Sequence, residues 1–127
     1  MKHPMDTNLP EILAEVQAVC AHYEAALMAN DVAVLDGLFW QSPHTLRYGD
    51  TGNQYGFEAI RAFRAALPVQ SPPRTVLRHV VTTYGRDFAT SNLEFRREGG
   101  DAEGRQSQTW VRMADGWRVV AAHVSLL

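Results

Sequence analysis

The amino-acid sequence predicts an α+β domain in which N-terminal helices pack on one face of a curved antiparallel sheet, and two observations lead to this fold class. Up to residue 67 the apolar residues mostly recur at helical spacing. From Arg74 onward, four segments rich in Val, Thr and aromatic residues follow one another, separated by short turns. Helices followed by consecutive hairpin strands are typical of this class. The length of 127 residues fits a single domain over residues 1–127.

Three helices are predicted in the first half. The longest covers residues 9–29, with Asn8 available as its cap and Pro10 in its first turn. Asp31 is placed to cap a second, short helix over VAVLDGLF, and Gly37 favours an early end. The segment FEAIRAFRAAL forms the third helix. Helices on one face of a strongly curved sheet enclose a half-open cone, whose mouth is a natural ligand site.

Five segments are predicted to be strands. The first is the short stretch around LRYG, and TGNQYG after it is expected to be a loop. The others are TVLRHVVTTY, FATSNLEFRR, RQSQTWVRM and WRVVAAHVSL. The pair Asp115-Gly116 between the last two is a strong hairpin signal.

Composition excludes several classes of protein. The net charge of −2 removes the simplest argument for a nucleic-acid-binding protein, which would need a basic face. No apolar run approaches the length of a membrane span, and the start MKHPMDTNLPE lacks the apolar segment of a secretion signal, so we expect a cytoplasmic protein. Cys20, the single cysteine, cannot form an internal disulfide and sits among apolar helix positions, which favours a core role.

An arginine inside the LRYG strand is the most informative single residue. Alternation places Thr45 and Arg47 on one face of the strand and Tyr48 on the other. If the strand is covered on both sides, Arg47 is buried, and a buried guanidinium needs a carboxylate partner. That partner is either a protein carboxylate or the carboxylate of a ligand. The protein candidates are Glu24, Asp50 and Glu58.

Two other sets of polar residues fall on strands. His123 and Ser125 are predicted to share a face of the last strand with Trp117, Val119 and Ala121, where His123 is either a general base or a core histidine. Gln106, Gln108, Trp110 and Arg112 alternate on the strand before it, and parity leaves open whether they line a pocket or a dimer interface. The histidines lack the close spacing of metal ligands, and the glycines in YGDTGNQYG match no phosphate-binding motif, so no metal and no cofactor is expected.

Three segments resemble a known family: AHYEAALMANDVAVLDGLFW, TLRYGDTGNQYGFEAIRAFR, and GRQSQTWVR followed by GWRVVAAHVS. They are similar to the AtzH-like, or HpxZ-like oxalurate-catabolism, family within the SnoaL-like and nuclear-transport-factor-like superfamily. The resemblance implies a cystatin-like cone and a role in breaking down small carboxylated amides such as dicarboxyurea or oxalurate. It also implies a pocket pair of Tyr23 and Arg47, and a functional link to an amidase-signature enzyme.

The first hypothesis is therefore a cofactor-free hydrolase acting on a carboxylated urea or amide. Tyr23, Arg47 and His123 are its expected catalytic residues. The expected substrate contacts are Arg47, Trp40, Tyr48, Phe63, Gln108, Trp110 and Ser125. The second hypothesis is a non-catalytic protein that binds a small carboxylate or assists a partner amidase. A homodimer is expected in both cases, because the sheet carries valines such as Val76, Val80, Val111 and Val120 beyond what three helices can cover.

Overall fold

The helices and strands follow the predicted order. The computed structural model describes residues 5–67 and 72–127. The helices are α1 (Pro10–Ala29), α2 (Val32–Leu38) and α3 (Phe57–Ala66). The strands are β1 (Leu46–Gly49), β2 (Gly52–Tyr55), β3 (Arg74–Tyr84), β4 (Phe88–Arg97), β5 (Glu103–Met113) and β6 (Gly116–Leu126). The predicted helices and the five predicted strands are all present.

One curved sheet contains all six of these strands, in the order β2-β1-β6-β5-β4-β3. Neighbouring strands run antiparallel except β1 and β6, which are parallel. The three helices pack on one face of the sheet, called here the inner face, and enclose the predicted half-open cone. The fold class predicted from the sequence, α+β with a cystatin-like cone, is confirmed.

Two local predictions, a helix cap and a hairpin, are confirmed, and two others, a second cap and a loop, are wrong. The side chain of Asp31 caps α2 by accepting a hydrogen bond from the Val34 amide at 3.2 Å, as predicted. The β5–β6 hairpin also forms, with Met113 paired to Gly116. Asn8 does not cap α1, because its side chain accepts a hydrogen bond from the Thr83 amide instead. The segment expected to be a loop after LRYG is strand β2, which pairs with β1.

A β-bulge in β6 reverses the face on which its last residues lie. Thr109 pairs with Ala121 and Trp110 pairs with Val119, so Val120 is an extra residue without a partner on β5. Val119 faces the helices and is fully buried, whereas Ala121 beyond the bulge faces the opposite, outer face. The prediction that His123 and Ser125 share a face with Trp117 and Val119 is therefore wrong.

The core lies between the helices and the inner face. Helix α1 buries a stripe at intervals of three and four residues, namely Ile12, Val16, Cys20, Tyr23 and Ala26. These side chains pack with Leu35, Phe39, Ile60, Ala89, Trp110, Trp117 and Val119. Within the two described ranges, no helix is both long and apolar enough to cross a membrane.

Candidate functional site

A cavity of about 100 Å³ opens inside the cone, between α1, α3 and the inner face of the sheet. One buried water needs roughly 10–15 Å³, so this space suits a small metabolite. Its described lining residues are Tyr23, Leu27, Met28, Arg47, Ile60, Phe63, Arg64, Leu67, Pro72, Arg74, Arg97, Gln106, Gln108, Ala122 and Val124. No aspartate or glutamate belongs to this described lining, so its polar side chains are dominated by hydrogen-bond donors.

Arg47 reaches the cavity from strand β1, as the alternation around it predicts. It shares the inward face with fully buried Thr45. Its Nη1 donates a hydrogen bond to Gln54 Oε1 at 3.0 Å, and its guanidinium carbon lies 5.2 Å from the centre of the Phe63 ring. Gln54 is the residue paired with Arg47 on strand β2. The guanidinium is thus held by a neutral acceptor and an aromatic ring.

The three carboxylates considered as protein partners of Arg47 each bind another arginine. Glu24 pairs with Arg74, Asp50 with Arg97, and Glu58 with Arg61. No carboxylate within residues 5–67 and 72–127 forms an ion pair with Arg47. The structural ion pair that the sequence left open is therefore not formed.

Four arginines surround the cavity, and three of them are neutralised. Arg64 pairs with Asp36 at 3.1 Å, Arg74 with Glu24 at 2.6 Å, and Arg97 with Asp50 at 3.4 Å. Arg47 adds a positive charge without such a partner. Burial lowers the pKa of the Arg47 guanidinium from its ordinary value, and the positive charges of Arg64 and Arg97 act in the same direction, whereas Tyr23 and Asp50 partly oppose them. A bound anion would offset both effects.

Gln108, a residue of the cavity lining, carries a buried polar group without a partner. Its side chain is only 4% exposed, and its Oε1 accepts a hydrogen bond from the indole Nε1 of Trp110 at 3.2 Å. Because an indole can only donate, this contact fixes which end of the amide is the oxygen. The Nε2 group is then left buried with no hydrogen-bond partner in the described structure. A buried donor without a partner costs about 1–3 kcal/mol, which an acceptor from a ligand would recover.

Tyr23 projects from α1 into the same cavity. Its ring makes edge contacts with Phe39 and Trp110, each at 6.2 Å between ring centres. The ring is therefore held by packing, and the side chain is only 6% exposed. The hydroxyl forms no hydrogen bond with any residue that the structure describes. It is therefore available to a ligand bound in the cavity.

The structure brings together four of the predicted site residues and separates the rest from the cavity. Tyr23, Arg47, Phe63 and Gln108 line it. Trp110 is fully buried behind it, where it supports Tyr23 and Gln108. From the sequence, Gln106 and Gln108 could line either a pocket or a dimer interface. The structure shows that both side chains point into the cone.

Four predicted site residues lie elsewhere. Tyr48 and His123 contact each other on the outer face, with 5.8 Å between their ring centres. Ser125 lies on the same face and accepts a hydrogen bond from Arg105 at 3.3 Å. Trp40 stacks on His44 and does not line the cavity. None of the four belongs to the described lining of the cavity.

Cys20 does not belong to the site either. Burial raises the pKa of its thiol to about 11, and a hydrogen bond with Ser91 offsets only part of that effect. A thiol with this pKa is protonated at neutral pH and is a poor nucleophile, as its predicted core role requires. Across the described ranges, no group of three or more His, Cys, Asp or Glu side chains is placed to hold a metal ion.

Sequence reasoning missed Arg64, Arg74, Arg97 and Gln54. Arg97 has the same parity on β4 as buried Leu93 and Phe95, so alternation alone could have placed it inside the cone. Arg74 could not be found in this way, because a register shift between Val76 and Arg78 interrupts the alternation of β3. Gln54 lies in the segment that the sequence predicts to be a loop, so alternation predicts no face of the sheet for its side chain.

Comparisons with known proteins agree with this fold and identify a family. The AtzH-like family model matches residues 5–127. A protein of unknown function from the DUF3225 family of Pectobacterium atrosepticum is 53% identical, with 96% of this chain and 95% of that chain covered and a TM-score of 0.93. A cystatin-like fold protein from Burkholderia xenovorans is 49% identical, with 97% of both chains covered and a TM-score of 0.93. A search among curated proteins gives no match.

More distant structures share the fold alone. The nuclear transport factor 2 of Cryptosporidium parvum is 15% identical, covers 93% of this chain and 96% of its own, and has a TM-score of 0.72. The family match spans nearly the whole chain, and the two near relatives are about half identical to it over almost their full length. This chain belongs to the AtzH-like family.

Proposed function

We propose that this protein cleaves a small carboxylated urea or amide, of the dicarboxyurea or oxalurate type, inside the cone. The observation that carries the proposal is Arg47: it lines the cavity, and no carboxylate of the described chain forms an ion pair with it. A planar guanidinium can donate two parallel hydrogen bonds to a carboxylate. The ligand carboxylate takes the place of the protein carboxylate that the sequence led us to look for.

The other polar groups suit the amide part of such a substrate. Gln108 Nε2 donates to the carbonyl oxygen, where negative charge develops as water adds to the carbon. The Tyr23 hydroxyl gives its proton to the nitrogen as the C–N bond breaks, and the attacking water supplies the proton that restores the phenol. Hydrolysis then consumes one water and yields an acid and the nitrogen compound that has gained a proton, for example oxalate and urea from oxalurate. Arg47 and the walls of the cavity position the substrate for this step.

A second candidate function is binding without chemistry, in a carboxylate-binding protein or an accessory protein for a partner amidase. The observation in its favour is the absence of a serine, cysteine or histidine from the described cavity lining. His123, Ser125 and Cys20, the side chains with nucleophilic or basic groups named from the sequence, lie outside it. If the protein were an enzyme, Tyr23 alone among these residues would be available for proton transfer.

Turnover assays separate the two candidates. The purified protein is incubated with freshly generated dicarboxyurea, oxalurate and allophanate, and ammonia, carbon dioxide and organic products are followed by mass spectrometry. The proposal expects turnover of at least one of these compounds that is lost in Arg47→Ala, while the melting temperature of the variant stays close to that of the wild type. Binding without turnover favours the second candidate. Turnover unaffected by Arg47→Ala would contradict the proposal that the substrate binds to Arg47 in the cavity.

We also propose that two copies associate through the outer face of the sheet. This face carries exposed apolar side chains, among them Val80 and Phe88, which are 42% and 41% exposed. Tyr48 and His123 lie on the same face. Sedimentation velocity tests the proposal: a dimer is expected for the wild type and a monomer for a Val80→Glu/Phe88→Glu variant.

A further inference from the structure

The Arg47 guanidinium lies directly over Gly49, two residues along the same strand. A methyl group built on Gly49 would come within 2.6 Å of Arg47 Nη1, 3.2 Å of the guanidinium carbon and 3.3 Å of Nη2. Both residues face the cone, because side chains two apart on a strand share a face. The guanidinium therefore occupies the space in which any other residue at position 49 would carry its Cβ.

The backbone does not account for glycine at this position. Gly52 and Gly56, in the same segment, have φ of 159° and 88°, so Gly56 adopts a conformation that other residues rarely take. Gly49 has no such φ and is the last residue of β1, where it pairs with Gly52. What glycine provides at position 49 is space, and that space is filled by the side chain of Arg47.

We propose that Gly49 is a positioning residue, which lets the Arg47 guanidinium lie flat against strand β1 and present its free N–H groups to a carboxylate in the cavity. This inference rests on the proposed binding of a carboxylate by Arg47. Gln54 and Phe63 hold the guanidinium from the sides, and the absence of a Cβ on Gly49 sets how close to the strand it sits. The RYG stretch then works as one unit, with the glycine acting through the arginine.

A larger residue at position 49 would move the guanidinium rather than the backbone. All three atoms that the methyl group meets are at the end of a flexible side chain. Restoring ordinary van der Waals contact requires a shift of about 1 Å, and a displacement of this size in a positioning group can cost about 100-fold. Gly49→Ala is therefore expected to fold normally and to bind small carboxylates about 10- to 100-fold more weakly.

The test is a double-mutant cycle on oxalurate binding, measured by calorimetry with Gly49→Ala, Arg47→Ala and the double variant. If Gly49 acts through Arg47, Gly49→Ala weakens binding in the wild-type background and has no further effect once Arg47 is alanine. Gly37→Ala serves as the matched control, because a methyl group on Gly37 meets nothing within 4 Å. It is expected to leave binding unchanged.

Three outcomes overturn the inference. The first is binding by Gly49→Ala at wild-type affinity while Arg47→Ala binds weakly. The second is an equal loss from Gly49→Ala in both backgrounds. The third concerns folding: if Gly49→Ala fails to fold, the double variant must recover the fold, since it removes the colliding guanidinium, and a double variant that also stays unfolded contradicts the inference. Unchanged binding by Arg47→Ala alone would instead contradict the proposed function itself.

Discussion

Arg47 donates a hydrogen bond to the side-chain oxygen of Gln54 at 3.0 Å, across the β1–β2 hairpin in which the two residues are direct partners. A neutral amide orients the guanidinium without cancelling its charge. An acidic residue at position 54 would have satisfied the same hydrogen bond and neutralised the arginine. The charge that the hairpin leaves available is the basis of the proposed carboxylate site.

Replacing that amide by a carboxylate should close the site to anions. In Gln54→Glu the new carboxylate pairs with Arg47, so oxalurate must compete with it. A charge-assisted hydrogen bond is worth about 1.5–3 kcal/mol, which corresponds to a roughly 10- to 100-fold weaker binding. Calorimetric titration measures the change. Gln41→Glu adds the same charge at an exposed position outside the cavity lining and should bind within about twofold of the wild type. Equal losses in both variants would indicate a general charge effect.

The hydroxyl of Tyr23 should matter for turnover and little for binding or stability. Tyr23→Phe keeps the ring contacts with Phe39 and Trp110 and removes a hydroxyl that has no described protein partner. General acid catalysis contributes about 10²–10⁴-fold, so kcat should fall within this range. The dissociation constant of oxalurate and the melting temperature should change little. Normal turnover by Tyr23→Phe would rule out the proton-transfer role.

Glu24 should stabilise the wall of the cavity. Arg74 donates two hydrogen bonds to Glu24, at 2.9 and 2.6 Å, and the side chain of Arg74 is only 6% exposed. Glu24→Gln leaves a buried charge without its counter-ion, which should lower the free energy of unfolding by about 3 kcal/mol. The matched variant Glu11→Gln breaks an exposed pair with Arg86 and should cost less than about 1 kcal/mol. Urea denaturation of both variants tests this difference, and equal costs would contradict it.

Cys20 should make folding stability fall at alkaline pH. Its thiol has a pKa of about 11 in the folded protein, raised from 9.0 by burial. As pH rises from 9 to 11 the unfolded chain ionises first, so the free energy of unfolding falls over this window, by up to about 2 kcal/mol. Below about pH 8 the thiol stays protonated in both states and contributes almost no pH dependence. Denaturation curves of the wild type and Cys20→Ala at several pH values isolate the effect. The difference between their free energies of unfolding should become smaller as pH rises from 9 to 11, and a constant difference would contradict the prediction.

Much of the fold could be predicted because its signals are local. Helical spacing in α1, the Asp31 cap and the Val- and Thr-rich strands each act over a few residues. Arg47 was found for the same reason, since the alternation from Thr45 to Arg47 runs through a regular strand.

The rest of the site depended on features that alternation does not reveal. One extra residue, Val120, turns His123 to the outer face, and the register shift near Leu77 hides the inward position of Arg74. The sequence also does not reveal which arginine each carboxylate binds. Glu24 and Asp50 were candidate partners of Arg47, and their pairing with other arginines follows from contacts 50 and 47 residues apart along the chain.

The most direct test of the account is a crystal structure with oxalurate bound to the Tyr23→Phe variant, in which the proposed turnover is slowed and binding is kept. The account predicts the ligand carboxylate within about 3 Å of the Arg47 guanidinium nitrogens, with Gln108 Nε2 donating to the amide carbonyl and the ring of residue 23 beside the nitrogen. Oxalurate bound outside the cone, or an empty cavity at a ligand concentration that saturates binding in solution, would contradict it.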